Sequence, residues 1–262
     1  MNKLYNLFVV VTAVLIASCA SSPSLVESQG LDPNNAITYN ESGLAYAEKG
    51  DYDRAIADFN QAIRIDPNLA GAYYNRGLAY YLKKDYDRAI ADFNQATSLD
   101  PNFAAAYNNR GGAYYNKGDY DRAIADFNQT IRIDPNLINP NFSAAYNNRG
   151  ITYTEKGDYD RAIADFNQAI RIDPNDANSY YNRGNAYYDK EDYDHAIADF
   201  NQAIRLDHNF ALAYNNRGWA YYNKGDYDRA IADYEAALRI NPNHANAKIN
   251  LEAAKRAKAE KK

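Results

Sequence analysis

The chain has 262 residues, a formal net charge of -5 and 46% hydrophobic residues, which suits one large or two small folded domains. An acidic balance excludes binding along a phosphate backbone, which needs clustered Lys and Arg, so no nucleic-acid partner is expected. Cys19 is the only cysteine, which excludes an intramolecular disulfide and a thiolate metal cluster.

The chain opens MNKLYNLFVVVTAVLIASCASSPS. Lys3 supplies a positive start, and Leu7 to Ala17 is an apolar run broken only by Thr12. That length fits the core of a signal segment and falls short of the roughly 20 residues a spanning helix needs. The run ends at Ile16-Ala17-Ser18-Cys19, which resembles the lipobox of bacterial lipoproteins. The resemblance implies that residues 1–18 are removed and that Cys19 becomes a lipidated membrane anchor. Several acyl chains hold a protein firmly where one holds it marginally. By the same resemblance, Ala20 after the cysteine points to the outer membrane and a body facing the periplasm. An ordinary secretory signal with an incidental Cys19 is the alternative. Residues 19–35 are small and polar and read as a flexible tether.

The rest is a repeat. The phrase beginning Asp51-Tyr52-Asp53 returns at Asp85, Asp119, Asp158, Asp192 and Asp226, at steps of 34, 34, 39, 34 and 34. The copies span 36–69, 70–103, 104–137, 143–176, 177–210 and 211–244. In the second half of the first copy, Tyr52, Ala55, Ile56, Phe59, Ala62 and Ile63 fall on one helical face. Asp51 is placed to cap that helix, and Gly50 to end the preceding one in a left-handed conformation. Pro67 closes the unit, and Asn68 is expected to cap the next helix. In the first half, Tyr39, Gly43 and Tyr46 share a face, with Gly43 allowing a close helix approach. A helix of about 13 residues is marginal alone, so pairs must cover one another.

Five extra residues, 138–142, separate the third and fourth copies. They read as a tolerated loop, or as a bend dividing the array into two blocks of three. Residues 245–262 are rich in Ala and Lys and read as a capping helix, with Ile249 and Ala253 placed to pack on the sixth copy.

The period and the pattern Tyr39, Gly43, Tyr46, Ala55, Phe59, Ala62 and Pro67 resemble the tetratricopeptide repeat. The second copy repeats it as Tyr73, Gly77, Tyr80, Ala89, Phe93, Ala96 and Pro101; Thr130, His208 and Tyr234 depart from it. The resemblance implies an all-α fold: a right-handed α-α superhelix of six helix-turn-helix units plus a cap.

Catalytic chemistry has no foothold in the sequence. His195, His208 and His244 fill repeat slots and lack a nucleophile or metal-ligand spacing. Paired acids such as Asp51 and Asp53 lack the Gly and terminal Glu of a calcium loop and suit helix starts better. No enzyme, cofactor or metal is expected.

Binding is the remaining option. By resemblance, the first helix of each unit lines the inside of the superhelix. Asn75, Asn109, Asn148, Asn182 and Asn216 recur at one inner position, and Tyr81, Tyr115, Tyr188 and Tyr222 at another, with Trp219 at a variable one. Amides offer donor and acceptor to an extended peptide, and tyrosines add flat apolar contact. The reading is a non-enzymatic scaffold in the bacterial envelope that holds a protein or peptide partner. Glycan stacking on the groove tyrosines, as in a peptidoglycan binder, is the alternative. The Lys and Arg of a carboxylate clamp are absent from inner positions. Arg76, Arg110, Arg149, Arg183 and Arg217 are expected instead to form structural ion pairs with second-helix acids such as Asp92. Oligomeric state is left open.

Overall fold

The structure, a computed structural model, describes residues 34–133 and 140–261. The expected signal segment, Cys19 and residues 19–33 of the expected tether lie outside the described residues. Among the described residues there are thirteen helices and no strand. They fall into two compact units, residues 34–133 and residues 140–261.

The first unit holds three helix pairs: α1 (Ala36–Glu48) with α2 (Tyr52–Ile65), α3 (Ala70–Leu82) with α4 (Tyr86–Leu99), and α5 (Ala104–Asn116) with α6 (Tyr120–Ile133). The second holds α7 (Pro140–Glu155) with α8 (Tyr159–Ile172), α9 (Ala177–Asp189) with α10 (Tyr193–Leu206), and α11 (Ala211–Asn223) with α12 (Tyr227–Ile240). It ends in α13 (Ala245–Glu260). Within each unit a helix packs on its pair partner, and each second helix packs on the next first helix. This nearest-neighbour order is that of a solenoid.

Local chemistry sets the punctuation. Each second helix starts because an aspartate accepts from the N–H three residues on: Asp51 from Arg54 at 3.1 Å, Asp158 from Arg161 at 3.2 Å, Asp226 from Arg229 at 3.1 Å. The turn before it needs a left-handed residue. Gly50 supplies it with φ 77°, while Lys84 and Glu191 adopt φ 62° and 63° with side chains attached.

The other end of the unit differs from expectation. Asn68 does not cap the following helix; its N–H donates to Asp66 Oδ1 at 2.9 Å, and Leu69 stands at the cap without a side-chain bond. The aspartate turn consumes the local polar groups first. His208, in the proline slot, leaves that turn intact, because Asn209 N donates to Asp207 Oδ1 at 2.9 Å.

The core is a column of Ala-Phe-Ala triplets from the second helices, such as Ala162, Phe166 and Ala169, all fully buried. Burying one such ring stabilises by about 1.5–3 kcal/mol. Gly184 admits the ring of Phe200: a Cβ there would lie 2.8 Å from Phe200 Cε1.

Two sequence expectations change at the unit ends. Pro140, Asn141 and Phe142 of the insertion belong to α7, so the five residues are not all loop. Proline is well placed at a first helical position, where its missing N–H costs nothing. In α13, Ile249 is 67% exposed, and Ala247, Leu251 and Ala254 bury themselves instead, with Leu251 and Ala254 clustering with Tyr234 of α12.

Candidate functional site

The amide row expected to face a partner is buried. Asn75, Asn109, Asn148, Asn182 and Asn216 are between 0% and 6% exposed. Asn75 Nδ2 donates to Asn40 Oδ1 at 3.0 Å, Asn109 to Tyr74 Oη at 3.0 Å, and Asn182 to Asn147 Oδ1 at 3.1 Å. Asn216 donates to Tyr181 Oη at 3.0 Å and to Asn185 Oδ1 at 2.8 Å. Each of these partners lies on the preceding first helix. The row is therefore a seam between helices, not an open ladder. A polar group in such a seam has to be paired, and an amide meets both amides and hydroxyls.

Tyr81 is buried in the same way, its hydroxyl accepting from Asn116 Nδ2 at 2.9 Å, and burial pushes its phenol up to about 12. Tyr115, Tyr188, Tyr222 and Trp219 remain half-buried at the surface. Tyr188 Oη accepts from Asn223 Nδ2 at 2.8 Å, and burial pushes that phenol up to about 12 as well. Trp219 lies parallel to Tyr222, with ring centroids 5.4 Å apart and 6° between planes.

The arginines are structural, as their place beside the buried stripe implies. Arg76, Arg110, Arg149, Arg183 and Arg217 grip Asp92, Asp126, Asp165, Asp199 and Asp233 through two bonds each; for Arg183 these are 2.8 and 2.6 Å. Arg183 Nη1 also donates to Asn167 Oδ1 at 2.5 Å in the preceding copy. Burial lifts all five aspartates above the usual carboxylate range, and the guanidinium bonds pull against it. In the first copy Ser42 Oγ donates to Asp58 at 2.6 Å in place of the arginine.

Sequence reasoning missed a surface ladder. Lys83, Lys117, Lys190, Lys224 and Lys258 pair with Asp53, Asp87, Asp160, Asp194 and Asp228 of the copy before. The constant spacing of each pair was the available signal. The capping-turn arginines also stack: Arg54, Arg88, Arg122, Arg161 and Arg229 sit over Tyr46, Tyr80, Tyr114, Tyr153 and Tyr221 at 4.4–4.6 Å. In the fifth copy His195 takes this place, stacked on Tyr187 at 5.0 Å with Nδ1 2.8 Å from Asp192.

A TPR repeat model matches residues 43–84, 77–118, 150–190 and 184–225, and tetratricopeptide repeat models match 104–137, 211–244 and 127–164. The chain belongs to the tetratricopeptide repeat family. No curated protein matches it. Among solved structures, this tetratricopeptide protein is similar to a chain of the APC/C hetero-tetramer Cut9–Hcn1. The two are 24% identical with a TM-score of 0.72, over 88% of this chain and 44% of that one, so this chain spans under half its length. It is similar to PilW, a widely conserved type IV pilus biogenesis factor, at 21% identity and TM-score 0.75, over 82% and 98% of the two chains. It is also similar to YrrB, a TPR protein with an unusual peptide-binding site, at 24% identity and TM-score 0.58, over 75% and 97%. These likenesses show the fold.

Proposed function

We propose that the protein is a non-enzymatic scaffold, anchored to the bacterial cell envelope through a lipidated Cys19, that holds an extended protein segment against its first helices. The observation that carries the partner reading is the residue of aromatic surface. Once the asparagines and arginines are spent on packing, Tyr115, Tyr188, Tyr222 and Trp219 still stand half-exposed. Rigid amphipathic rings give large contact area at low entropic cost. The fold shared with YrrB, which has a peptide-binding site, supports the same reading. The anchor reading rests on the lipobox-like Ile16-Ala17-Ser18-Cys19.

Two measurements test it. Crosslinking in intact envelopes should capture a protein partner that Tyr115→Ala with Tyr222→Ala releases; unchanged capture counts against the aromatic surface. Cys19→Ala should move the protein out of the membrane fraction, and retention there counts against the anchor.

The parallel rings of Trp219 and Tyr222 favour a second reading, stacking on a sugar ring of peptidoglycan. Pelleting with purified cell wall that Trp219→Ala abolishes would select it.

A further inference from the structure

The last helix breaks the charge balance of the copies it closes. Residues 173–193 carry two cations against five carboxylates. Residues 207–227 carry two cations, Arg217 and Lys224, against two carboxylates, Asp207 and Asp226. The matching stretch 241–261 carries five cations, Lys248, Lys255, Arg256, Lys258 and Lys261, against Glu252 and Glu260, and Lys262 follows. Asn241 also stands where Asp173 and Asp207 stand in the two copies before it. A chain of net charge -5 thus ends in a basic helix.

Capping explains the polarity of this helix but not its sign. The end of a solenoid needs polar side chains toward water, and acids serve there as well as bases. Helix electrostatics favour cations at the C-terminal end, where Lys258 and Lys261 lie. They favour acids in the first turn, where α13 has none and closes the turn with Lys248.

The free charge lies on one face. Lys248, Lys255 and Arg256 are exposed, while Ala247, Asn250, Leu251 and Ala254 are buried on the other side. Lys248 with Lys255, and Ile249 with Arg256, are two turns apart and so form adjacent rows. Lys248 and Arg256 meet no carboxylate among the described residues, and Lys255 reaches Glu252 only at 4.0 Å. Glu252 lies between the rows and leaves the face net positive. Lys258 is held by Asp228, but Lys261 meets the Gly225 carbonyl at 3.3 Å and the Tyr227 ring, not an acid. By contrast Arg149, Arg183 and Arg217 of α7, α9 and α11 are each tied to an aspartate, as are Lys190 and Lys224.

Among these cations stands Ile249, the most exposed large apolar side chain of the described residues. An aliphatic side chain in water between cations fits a surface that takes both, with negative charge outside and hydrocarbon just beneath. A nucleic acid offers the charge without the hydrocarbon.

We infer that the exposed face of α13 docks on an anionic membrane surface, with Lys248, Lys255 and Arg256 at headgroup level and Ile249 entering between them. Basic side chains clustered beside an anionic bilayer add their attractions, and a basic patch can be the second signal that steadies a lipid-anchored protein. This contact needs no acyl chain, so it stands or falls apart from the Cys19 anchor.

The test uses the full chain with Cys19→Ala, which carries no acyl group, and sedimentation with vesicles. The vesicles are phosphatidylcholine alone or an equimolar mixture with phosphatidylglycerol. The apolar run 7–17 is common to every arm and cancels between variants. Binding should favour the anionic vesicles and weaken as salt rises. Lys248→Gln with Arg256→Gln should weaken anionic binding about five- to thirtyfold and leave neutral vesicles unchanged. Ile249→Ser should weaken anionic binding about threefold. These side chains are exposed, so helical circular dichroism should hold; Lys248→Gln alone serves if the double variant loses helicity. Equal binding to both vesicle types, or anionic binding that the charge variant keeps, overturns the docking face. Inorganic phosphate that displaces the protein more than chloride at equal ionic strength marks a phosphate site and overturns the surface reading. Double-stranded DNA bound as tightly as anionic vesicles, and equally by Ile249→Ser, overturns the membrane class. In envelopes a salt wash separates this contact from the Cys19 anchor, because it releases a protein held by α13 and not one held by acyl chains.

Discussion

Asn216 Nδ2 donates to Tyr181 Oη at 3.0 Å, joining one first helix to the one before it. Asn215 Nδ2 in turn donates to Asn216 Oδ1 at 3.0 Å, and Asn250 of α13 donates to Asn215 Oδ1 at 3.1 Å. Three successive first helices thus share one buried polar line. Asn216→Ala removes the hub and strands Asn185 Oδ1 and the Asn215 amide, at about 1–3 kcal/mol for each unsatisfied group. The urea midpoint should fall, and fall further than for Tyr181→Phe, which leaves the Asn216–Asn185 bond standing. Equal midpoints for the two variants would show that the hub role is wrong.

Gly184 and Phe200 show how tightly a pair closes. A Cβ on Gly184 would lie 2.8 Å from Phe200 Cε1, 3.0 Å from Cδ1 and 3.3 Å from the Ala196 carbonyl oxygen. The backbone carbonyl leaves little room to give, so Gly184→Ala should destabilise by about 1–3 kcal/mol through overpacking. Phe200→Leu shortens the ring, so it should cost less in the Gly184→Ala background than alone. A double-mutant cycle measures this; strictly additive costs would mean the two residues do not press on each other.

The order of helices was readable because period and pattern agree across levels: Phe166 recurs at the centre of the buried stripe, and Asp158 opens the helix it caps. The Arg183–Asp199 grip was readable too, because an arginine beside a buried stripe needs an acid within reach. The fate of Asn182 was not. Its place in the repeat says which face it occupies, and only the distance between first helices decides whether that face is open. Asn147 at 3.1 Å closes it. Ile249 misled for a related reason: the same place in the two preceding copies holds Tyr181 and Asn215, which bond to Asn216 and Asn250 of the next first helix, and no described helix follows α13.

Tyr234 takes the phenylalanine place of the sixth copy. Its ring is fully buried, and its hydroxyl has no hydrogen-bond partner, so burial drives the phenol pKa upward. Tyr234→Phe removes a polar atom that is buried and unpaired, and should stabilise the protein by about 1 kcal/mol. Chemical denaturation reads this as a higher urea midpoint with an unchanged slope. A lower midpoint would show that the hydroxyl is bonded.

His244 gives the cap of the array a pH dependence. Its Nδ1 accepts from Ala247 N at 3.3 Å and so starts α13, which only an unprotonated Nδ1 can do. Burial holds the imidazole below its ordinary value of 6.5. A base with a depressed folded pKa binds fewer protons folded than unfolded across the window between the two values. Stability therefore rises with pH there, is complete above the unfolded value of about 6.5, and is lost as pH falls below it. The capping aspartates Asp51, Asp85, Asp119, Asp158 and Asp226 are held below the usual carboxylate range by their hydrogen bonds, so their loss comes only in stronger acid. His244→Asn keeps a side-chain acceptor that does not titrate. Thermal unfolding at pH 7.5 and 5.5, both about one pH unit from the midpoint, should show a larger drop for the parent protein than for His244→Asn. His195 and His208 are present in both proteins and cancel from the comparison. The same drop in the two would mean that α13 is held by Leu251 and Ala254 alone, and that the His244 cap contributes nothing.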